Sequence, residues 1–357
     1  MSAKKHQLTP GIFYKNFGRS FTDFLAGKKY SAHFILVDDQ TVNYCLPYLL
    51  REVELLKAAK VIEIFSGEAF KNIDTAQQIW EQLTDAHADR HAVLINLGGG
   101  MVCDTGGFAA ATFKRGIDFI HVPTTLLSQV DAAYGGKQGI DFNHFKNQVG
   151  VFKNPVAIFV QVELLKTLPQ EQWVNGFAEV VKHALLAGGK NWKQIKGTED
   201  LAAVNWRKAV HDSSAIKLEI VARDPLEMDL RKILNFGHTI GHAIETHLLN
   251  RGEPVLHGYC VAAGMIGELF LSQQLCGFPA KKMQEAIGLI RRHFPDVQIH
   301  ADFDAELVGL MKQDKKNKAG RIQFALLQDI GEPVIGVETD EQFIVQALDY
   351  IRRLSAK

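Results

Sequence analysis

The chain has 357 residues, of which 46% are hydrophobic and 22% charged. Lys+Arg and Asp+Glu each number 40, so the formal net charge is zero. This composition excludes disorder, and the length favours two domains. The lack of surplus cations excludes a general nucleic-acid binder, which needs them to displace counterions. No apolar run approaches the roughly 20 residues that cross a bilayer. The opening MSAKKHQLTPGIFYKNFG lacks the continuous apolar stretch of a signal peptide. Four cysteines, Cys45, Cys103, Cys260 and Cys276, form no CxxC pair. They are read as free thiols of a reducing cytoplasm rather than as staples or zinc ligands.

In chain order, short apolar runs at residues 33–37, 60–65, 92–97, 119–122 and 157–160 are predicted strands covered on both faces. Longer segments such as 41–57 and 74–85 alternate with them as predicted helices. This rhythm predicts a parallel, doubly wound α/β sheet. From about Pro169 the pattern turns helical, over residues 171–186, 201–222, 229–249, 257–275, 280–293 and 305–312, with one short hairpin around 321–327. The expected division is therefore an α/β domain over 1–168 and a helical domain over 169–357, and a cleft between two domains is a common ligand site.

The run 92–97 leads into Gly98-Gly99-Gly100 and then Asp104. Glycines admit close approach of a bound group, and a following helix offers free N–H groups to phosphate, so a pyrophosphate turn competes here with a plain loop. Asp38 and Asp39 end an earlier strand, where a carboxylate can accept from ribose hydroxyls, and Gly67-Glu68 with Lys71 follows the next one. Arg115, Asp131, Gly135-Gly136-Lys137 and Lys146-Asn147 place cations in turn-rich chain, a pattern that suits an anionic ligand. Residues 234–245 read as one helix, with His238 and His242 four apart on one face. His257 begins the next helical segment, and Glu179 and Lys182 share a face of a preceding one. A glutamate with two histidines and an open position describes a catalytic Zn²⁺ site. Spacing leaves the choice of histidines open; taken alone, it selects both His238 and His242.

These segments combine into GGGxxxDxxGFxAA, RGIxxxxVPTTLLxxxD, GGK, KN, GFAEVVK, LNFGHTIGHAIE and HG. From about residue 30 to Asp314-Lys315-Lys316 the chain resembles the 3-dehydroquinate synthases of the sugar phosphate cyclase superfamily. The resemblance implies a Rossmann-like NAD-binding α/β domain, a helical metal- and substrate-binding domain, and a cytoplasmic homodimer. It implies that NAD⁺ and a divalent metal, commonly Zn²⁺ with Co²⁺ as the alternative, serve the conversion of 3-deoxy-D-arabino-heptulosonate 7-phosphate to 3-dehydroquinate and phosphate. That is a step of the shikimate pathway of aromatic amino acid biosynthesis. The implied sequence is transient oxidation at C5, loss of the C6 proton with expulsion of phosphate, return of the hydride, ring opening and intramolecular aldol closure.

By the same resemblance Glu179, His238 and His257 are the metal ligands, and His242 faces the substrate. Asp131, Lys137, Lys182, Asn235 and His242 take catalytic positions. Arg115, Lys146, Asn147, Lys217, Arg231 and Lys316 take substrate positions, with Arg115 reaching the phosphate across the dimer interface. Gly99, Gly100, Asp104, Thr124 and Thr125 match the NAD motifs, as do Asp38, Glu68 and Lys71. A substrate bearing both carboxylate and phosphate accounts for clustered cations in a neutral protein, with Lys217 and Arg231 assigned to the carboxylate.

Three residues depart from the family pattern: Cys103 in the glycine turn, Gln161 at a strand end, and Tyr259 where His-Gly is usually followed by glutamate. The last removes a carboxylate able to orient a metal-binding histidine. The competing readings are a cyclase acting on sedoheptulose 7-phosphate, which lacks the carboxylate that Lys217 and Arg231 would bind, and a metal-dependent NAD alcohol dehydrogenase.

Overall fold

In the computed structural model the residues described are 10–143, 145–312 and 321–355. The chain forms two compact units, Met1–Trp173 and Val174–Lys357.

The first unit holds strands β1 (Gly11–Phe13), β2 (His33–Asp38), β3 (Lys60–Ile64), β4 (Val93–Gly98), β5 (Asp118–Pro123), β6 (Lys137–Phe142), β7 (Phe145–Phe152) and β8 (Ala157–Phe159). Its helices are α1 (Phe17–Ala26), α2 (Thr41–Tyr44), α3 (Leu46–Glu52), α4 (Ile73–Asp85) and α5 (Gly100–Thr112). Six strands form one parallel sheet in the order β1-β8-β5-β4-β2-β3. Strand side chains alternate between its two faces. Ile35, Val37, Val93, Ile95, Leu97, Ile120 and Val122 pack with Phe17 and Phe21 of α1 and Leu49 of α3. Phe34, Leu36, Leu94 and Phe119 pack with Ile79 and Leu83 of α4 and Ala109 and Ala110 of α5. Both faces are thus apolar and covered, which is why these strands read as continuous hydrophobic runs.

In this unit β1, α1 and the β6–β7 hairpin were not read from the sequence. The turn-rich cationic stretch folds into an antiparallel hairpin of β6 and β7. The expected helix over 41–57 is broken into α2, α3 and a 3₁₀ turn Glu54–Ala58, with Pro47 in the first turn of α3.

The second unit carries most of α6 (Gln170–Ala187), then α7 (Gly189–Ile195), α8 (Trp206–Arg223), α9 (His238–Asn250), α10 (His257–Cys276), α11 (Ala280–His293), α12 (Asp304–Lys312), the hairpin β9 (Gln323–Asp329) and β10 (Glu332–Glu338), and α13 (Glu341–Ser355). The expected continuous helix over 229–249 is not formed. A 3₁₀ segment Leu230–Asn235 ends at Phe236, Gly237 turns the backbone with φ 81°, and α9 starts afresh at His238. A Cβ at Gly237 would sit 2.5 Å from Met265 Cγ, so position and conformation both require glycine.

The new helix start is held by a buried carboxylate on α10. Glu268 Oε2 accepts from Gly237 N at 2.6 Å, and Oε1 accepts from Thr239 N and Ile240 N at 3.1 and 3.2 Å. These are amides that a helix start leaves without intrahelical partners, and the anion also suits the positive end of the helix.

Inside the first unit, His121 of β5 is fully buried, with Asn96 Nδ2 3.2 Å from its Nδ1 and Gln138 Nε2 3.4 Å from its Nε2. A neutral ring donates through one nitrogen, so one of the two amides must turn its oxygen toward it. Burial pushes the imidazole down to about 3. The unfolded ring titrates near 6.5 and takes up its proton first, so stability is complete above pH 6.5 and is lost as the pH falls toward 3. The loss is on the order of 4 kcal/mol. Urea unfolding of the metal-free protein between pH 4 and 7 should therefore show a shallower acid decline for His121→Leu; an unchanged slope would remove His121 as its source.

Candidate functional site

Each unit carries a cluster of polar groups. In the first, chain order reverses across the sheet: β2 leads to β3 on one side, and the chain then returns past β2 to β4 and runs outward through β5 to β8. A doubly wound sheet binds nucleotides outside the carboxyl ends of the strands at such a reversal, here between β2 and β4. Asp38 ends β2, and Gly98-Gly99-Gly100 ends β4 and opens α5. Gly99 has φ −72° and ψ −169°, an ordinary extended conformation; a Cβ there would come within 3.1 Å of Thr125 Cγ2, a tight contact with the neighbouring turn. Asp38 Oδ1 accepts from Gln40 N and Thr41 N at 3.0 and 2.7 Å, fixing the turn after β2. Thr124 is buried and donates its N–H to Gly98 O at 2.9 Å. Thr125 and Ser128 bond reciprocally through their hydroxyls and backbone amides, and a π-helical turn Ser128–Ala132 follows with Asp131 in it. Such turns are frequent at functional sites.

The residues assigned from the sequence partly to NAD and partly to substrate form one network here. Lys71 Nζ donates to Asp104 Oδ2 at 2.6 Å and to Asn147 Oδ1 at 2.7 Å. Asn147 N donates to Asp141 Oδ1 at 2.6 Å, and Lys146 Nζ to Glu68 Oε1 at 3.2 Å. Burial would pull the Lys71 ammonium down, but Asp104, Glu68 and Asp141 outweigh it and hold it above the usual lysine range. Asn147 adopts φ 50° and Arg115 φ 67°, left-handed conformations uncommon outside glycine. Arg115 is exposed on its turn after α5, and Lys137 is exposed at the start of β6.

In the second unit, α6, α9 and α10 bring together four side chains, Glu179, His238, His242 and His257, of types that can ligate a metal. Glu179 Oε1 lies 3.3 Å from His238 Nε2 and 3.9 Å from His257 Nε2. The rings of His238, His242 and His257 have centroids 5.0 to 5.6 Å apart, and one nitrogen of each lies within 4.8 Å of the others. Both the spacing-derived pair and the resemblance-derived trio therefore fall in one cluster. His238 Nδ1 lies 3.1 Å from Phe236 O, and His257 Nδ1 lies 3.0 Å from Glu245 Oε2. A carbonyl and an ionised carboxylate only accept, so both Nδ1 atoms donate and both Nε2 atoms face Glu179. Burial, and then the Lys182 charge, push His238 down to about 4, which keeps it neutral and able to ligate. One carboxylate with convergent imidazoles fits a divalent ion such as Zn²⁺.

Lys182 pairs with Glu179 in the interior, and His183 Nδ1 meets Ser213 Oγ at 2.8 Å. Asn175, one turn before Glu179 on α6, accepts from Gly258 N at 2.6 Å and so fixes the start of α10 beside His257. Lys217 of α8 and Arg231 are buried. Arg231 donates to Pro225 O at 2.7 Å, and Asp224 accepts from the N–H groups of Met228, Asp229 and Arg231. Asn235 donates to Glu227 Oε1 at 3.1 Å, and Glu227 has φ 57°. Lys316 lies outside the described residues.

Sequence reading passed over Glu227, Glu245 and Glu268. Glu245 was recoverable, because it follows His238 by seven residues and so lies on the same helix face. Glu268 had a weaker signal, a lone carboxylate inside the apolar run VAAGMIGELFL. The carboxylate thought lost at Tyr259 is supplied by Glu245; Tyr259 instead packs edge-on to Phe294, with ring centroids 6.5 Å apart.

An α/β unit with a glycine turn at its sheet reversal, followed by a helical unit, is a fold class that solved cyclases and dehydrogenases share. A 2-epi-5-epi-valiolone synthase from Streptomyces hygroscopicus subsp. jinggangensis 5008, solved with NAD⁺ and Zn²⁺ bound, shares the fold at TM-score 0.86 and 22% identity, covering 99% of each chain. A 2-deoxy-scyllo-inosose synthase complexed with carbaglucose-6-phosphate, NAD⁺ and Co²⁺ does so at TM-score 0.82 and 23% identity over 96% of each. Within this class, the 3-dehydroquinate synthase N-terminal family model matches residues 61–175 and the C-terminal model residues 176–317. A 3-dehydroquinate synthase from Parabacteroides distasonis is 40% identical over 96% of this chain and 97% of its own length. The chain belongs to the 3-dehydroquinate synthase family.

The Lys71 network makes a stability prediction. Lys71→Met keeps the aliphatic stem and removes the ammonium from beside the Asp104 carboxylate, whose side chain is 18% exposed. Urea unfolding should show a loss of about 3 kcal/mol, partly recovered in Lys71→Met/Asp104→Asn; additive losses in the double variant would show that the pair is not coupled.

Proposed function

We propose that the chain converts 3-deoxy-D-arabino-heptulosonate 7-phosphate to 3-dehydroquinate and phosphate, using NAD⁺ and a divalent metal, Zn²⁺ first and Co²⁺ second. The observation that carries this reading is the convergence of Glu179, His238 and His257 in a unit that also buries Lys182, Lys217 and Arg231, in a chain of this family. When bound, NAD⁺ supplies a hydride acceptor that is restored within each turnover, and the metal supplies a Lewis acid for the hydroxyl to be oxidised.

The chain's own residues do the rest. Glu179, His238 and His257 hold the metal. Gly99, Gly100, Asp104, Thr124 and Thr125, with Asp38, Glu68 and Lys71, hold the dinucleotide in the α/β domain. Arg231 and Lys217 bind the substrate carboxylate; burial strengthens each ion contact by excluding water. Arg115, Lys137, Asn147 and His242 bind the phosphate end, which leaves as an anion and needs positive charge where it departs, and Lys146 also binds the substrate. Asp131, Lys182 and Asn235 orient the hydroxyls of the reacting ring. The phosphate assignment of Arg115 goes with a homodimer. The exposed apolar side chains Val61, Phe65, Phe70 and Ile73, on and just after edge strand β3, favour such a partner. No helix among the described residues is long and apolar enough to cross a membrane. Cys45, Cys103, Cys260 and Cys276 are free thiols, which suits the cytoplasm.

Purified protein with NAD⁺ and Zn²⁺ should release phosphate and dehydroquinate from the heptulosonate phosphate, and neither phosphate nor a cyclitol from sedoheptulose 7-phosphate. Turnover of the second substrate alone would overturn the assigned reaction. His238→Ala should abolish Zn²⁺ binding and activity together. Arg231→Ala should cut kcat/KM for the carboxylate substrate about 100-fold; a change under threefold would remove its assigned partner.

A further inference from the structure

We infer that Glu245 is a positioning residue for the metal: its carboxylate fixes the ring of His257 so that Nε2 is the ligating nitrogen. The inference rests on the reading of Glu179, His238 and His257 as ligands. His238, His242 and Glu245 follow at i, i+4 and i+7 along α9, so all three project from one stripe of the helix. The helix that supplies one ligand thereby also supplies the anion that orients a ligand from α10.

His257 is the first residue of α10, and its backbone is pinned where Asn175 accepts from Gly258 N. A pinned backbone leaves the ring torsions undecided. The contact between Glu245 Oε2 and His257 Nδ1 at 3.0 Å decides them, and it puts Nε2 3.9 Å from Glu179 Oε1. The Glu245 side chain is 8% exposed, so little water competes for the contact. A carboxylate does more here than a carbonyl would. It accepts the Nδ1 proton, which determines the tautomer, and its charge raises the basicity of the imidazole toward a cation. His238 has only the neutral Phe236 carbonyl in the same role. The two ligating histidines are therefore held unequally, His257 by an anion and His238 by a dipole. The residue two places after His257, Tyr259, turns to Phe294 and offers no carboxylate.

The test compares full-length wild type, Glu245→Gln, Glu245→Leu and His238→Ala. Zn²⁺ affinity is measured by competition with a chromophoric chelator, alongside NAD⁺ affinity and the melting temperature of the metal-free protein. Glu245→Gln keeps an acceptor without charge and should weaken Zn²⁺ about 10-fold; Glu245→Leu keeps neither and should weaken it about 100-fold. NAD⁺ affinity should stay within twofold and the metal-free melting temperature should hold. A packing role would reverse the order, because leucine would suit an apolar site better than glutamine. Wild-type affinity in both variants, or a loss matched by a lower metal-free melting temperature, overturns the inference. If His238→Ala binds Zn²⁺ as wild type does, the ligand reading itself fails; if it does not bind while both Glu245 variants do, only the inference fails. Should Glu245→Leu not fold, the ¹⁵N signals of His257 in Zn²⁺-loaded wild type decide. A protonated Nδ1 and a coordinated Nε2 support the inference, and coordination through Nδ1 refutes it.

Discussion

The carboxylate of Glu268 accepts three backbone N–H groups at the start of α9, and the geometry of the metal-type cluster depends on it. This anchor, with the left-handed turn at Gly237, favours a break at Phe236-Gly237 over a continuous helix through residues 229–249. In a continuous helix His238 would have an ordinary mid-helix backbone, and Phe236 O would be drawn into the intrahelical ladder. In the broken form that carbonyl is turned to His238 Nδ1. One buried anion on α10 thus sets where a neighbouring helix begins, which carbonyl is released, and which nitrogen of His238 faces Glu179. The arrangement is costly unless complete, since a buried carboxylate is tolerated only when its oxygens are satisfied.

The first unit solves a related problem with a cation. Lys71 is buried between an acid on α5, Asp104, and an amide on the β6–β7 hairpin, Asn147. An ammonium in that position ties the helix that opens at the glycine turn to the hairpin that presents Lys137 and Lys146. Asn147 is held in a left-handed conformation by contacts on both sides, its side chain to Lys71 and its N–H to Asp141. Backbone strain of this kind persists only where the surroundings over-determine it. Lys71 and Asp104, assigned to the cofactor, and Asn147, assigned to the substrate, are therefore mechanically one network within this unit.

What the sequence disclosed follows the range of the interactions involved. Strands β2, β4, β5 and β8 were legible because burial on both faces writes the fold into consecutive residues such as FILV and VLINL. The β6–β7 hairpin was not, because glycines and charges mask its alternation. The helix break before His238 was missed for another reason: its cause, Glu268, lies 31 residues from Gly237, and no local periodicity carries that information. The motif residues Glu179, His238 and His257 were found by resemblance, whereas spacing singled out His238 and His242 together. The structure shows why spacing was undecided, since all four side chains occupy one cluster and helical periodicity reports a shared face, not a coordination sphere.

Tyr259 illustrates the limit of comparing positions along a chain. Where the family pattern has a glutamate two residues after the third histidine, this chain has an aromatic ring that packs against Phe294. Read in sequence, the change deletes a carboxylate from beside the third histidine. Read in space, His257 already has one, from Glu245 on a different helix. Orienting an imidazole requires an acceptor at Nδ1 and places no requirement on which element provides it. A position that loses a charged group can then be recruited to apolar packing without disturbing the ligand set, provided that the spatial partner stays. On this argument the residues least free to vary around the cluster are Glu245, Glu268 and Asn175, which determine how His238 and His257 are held.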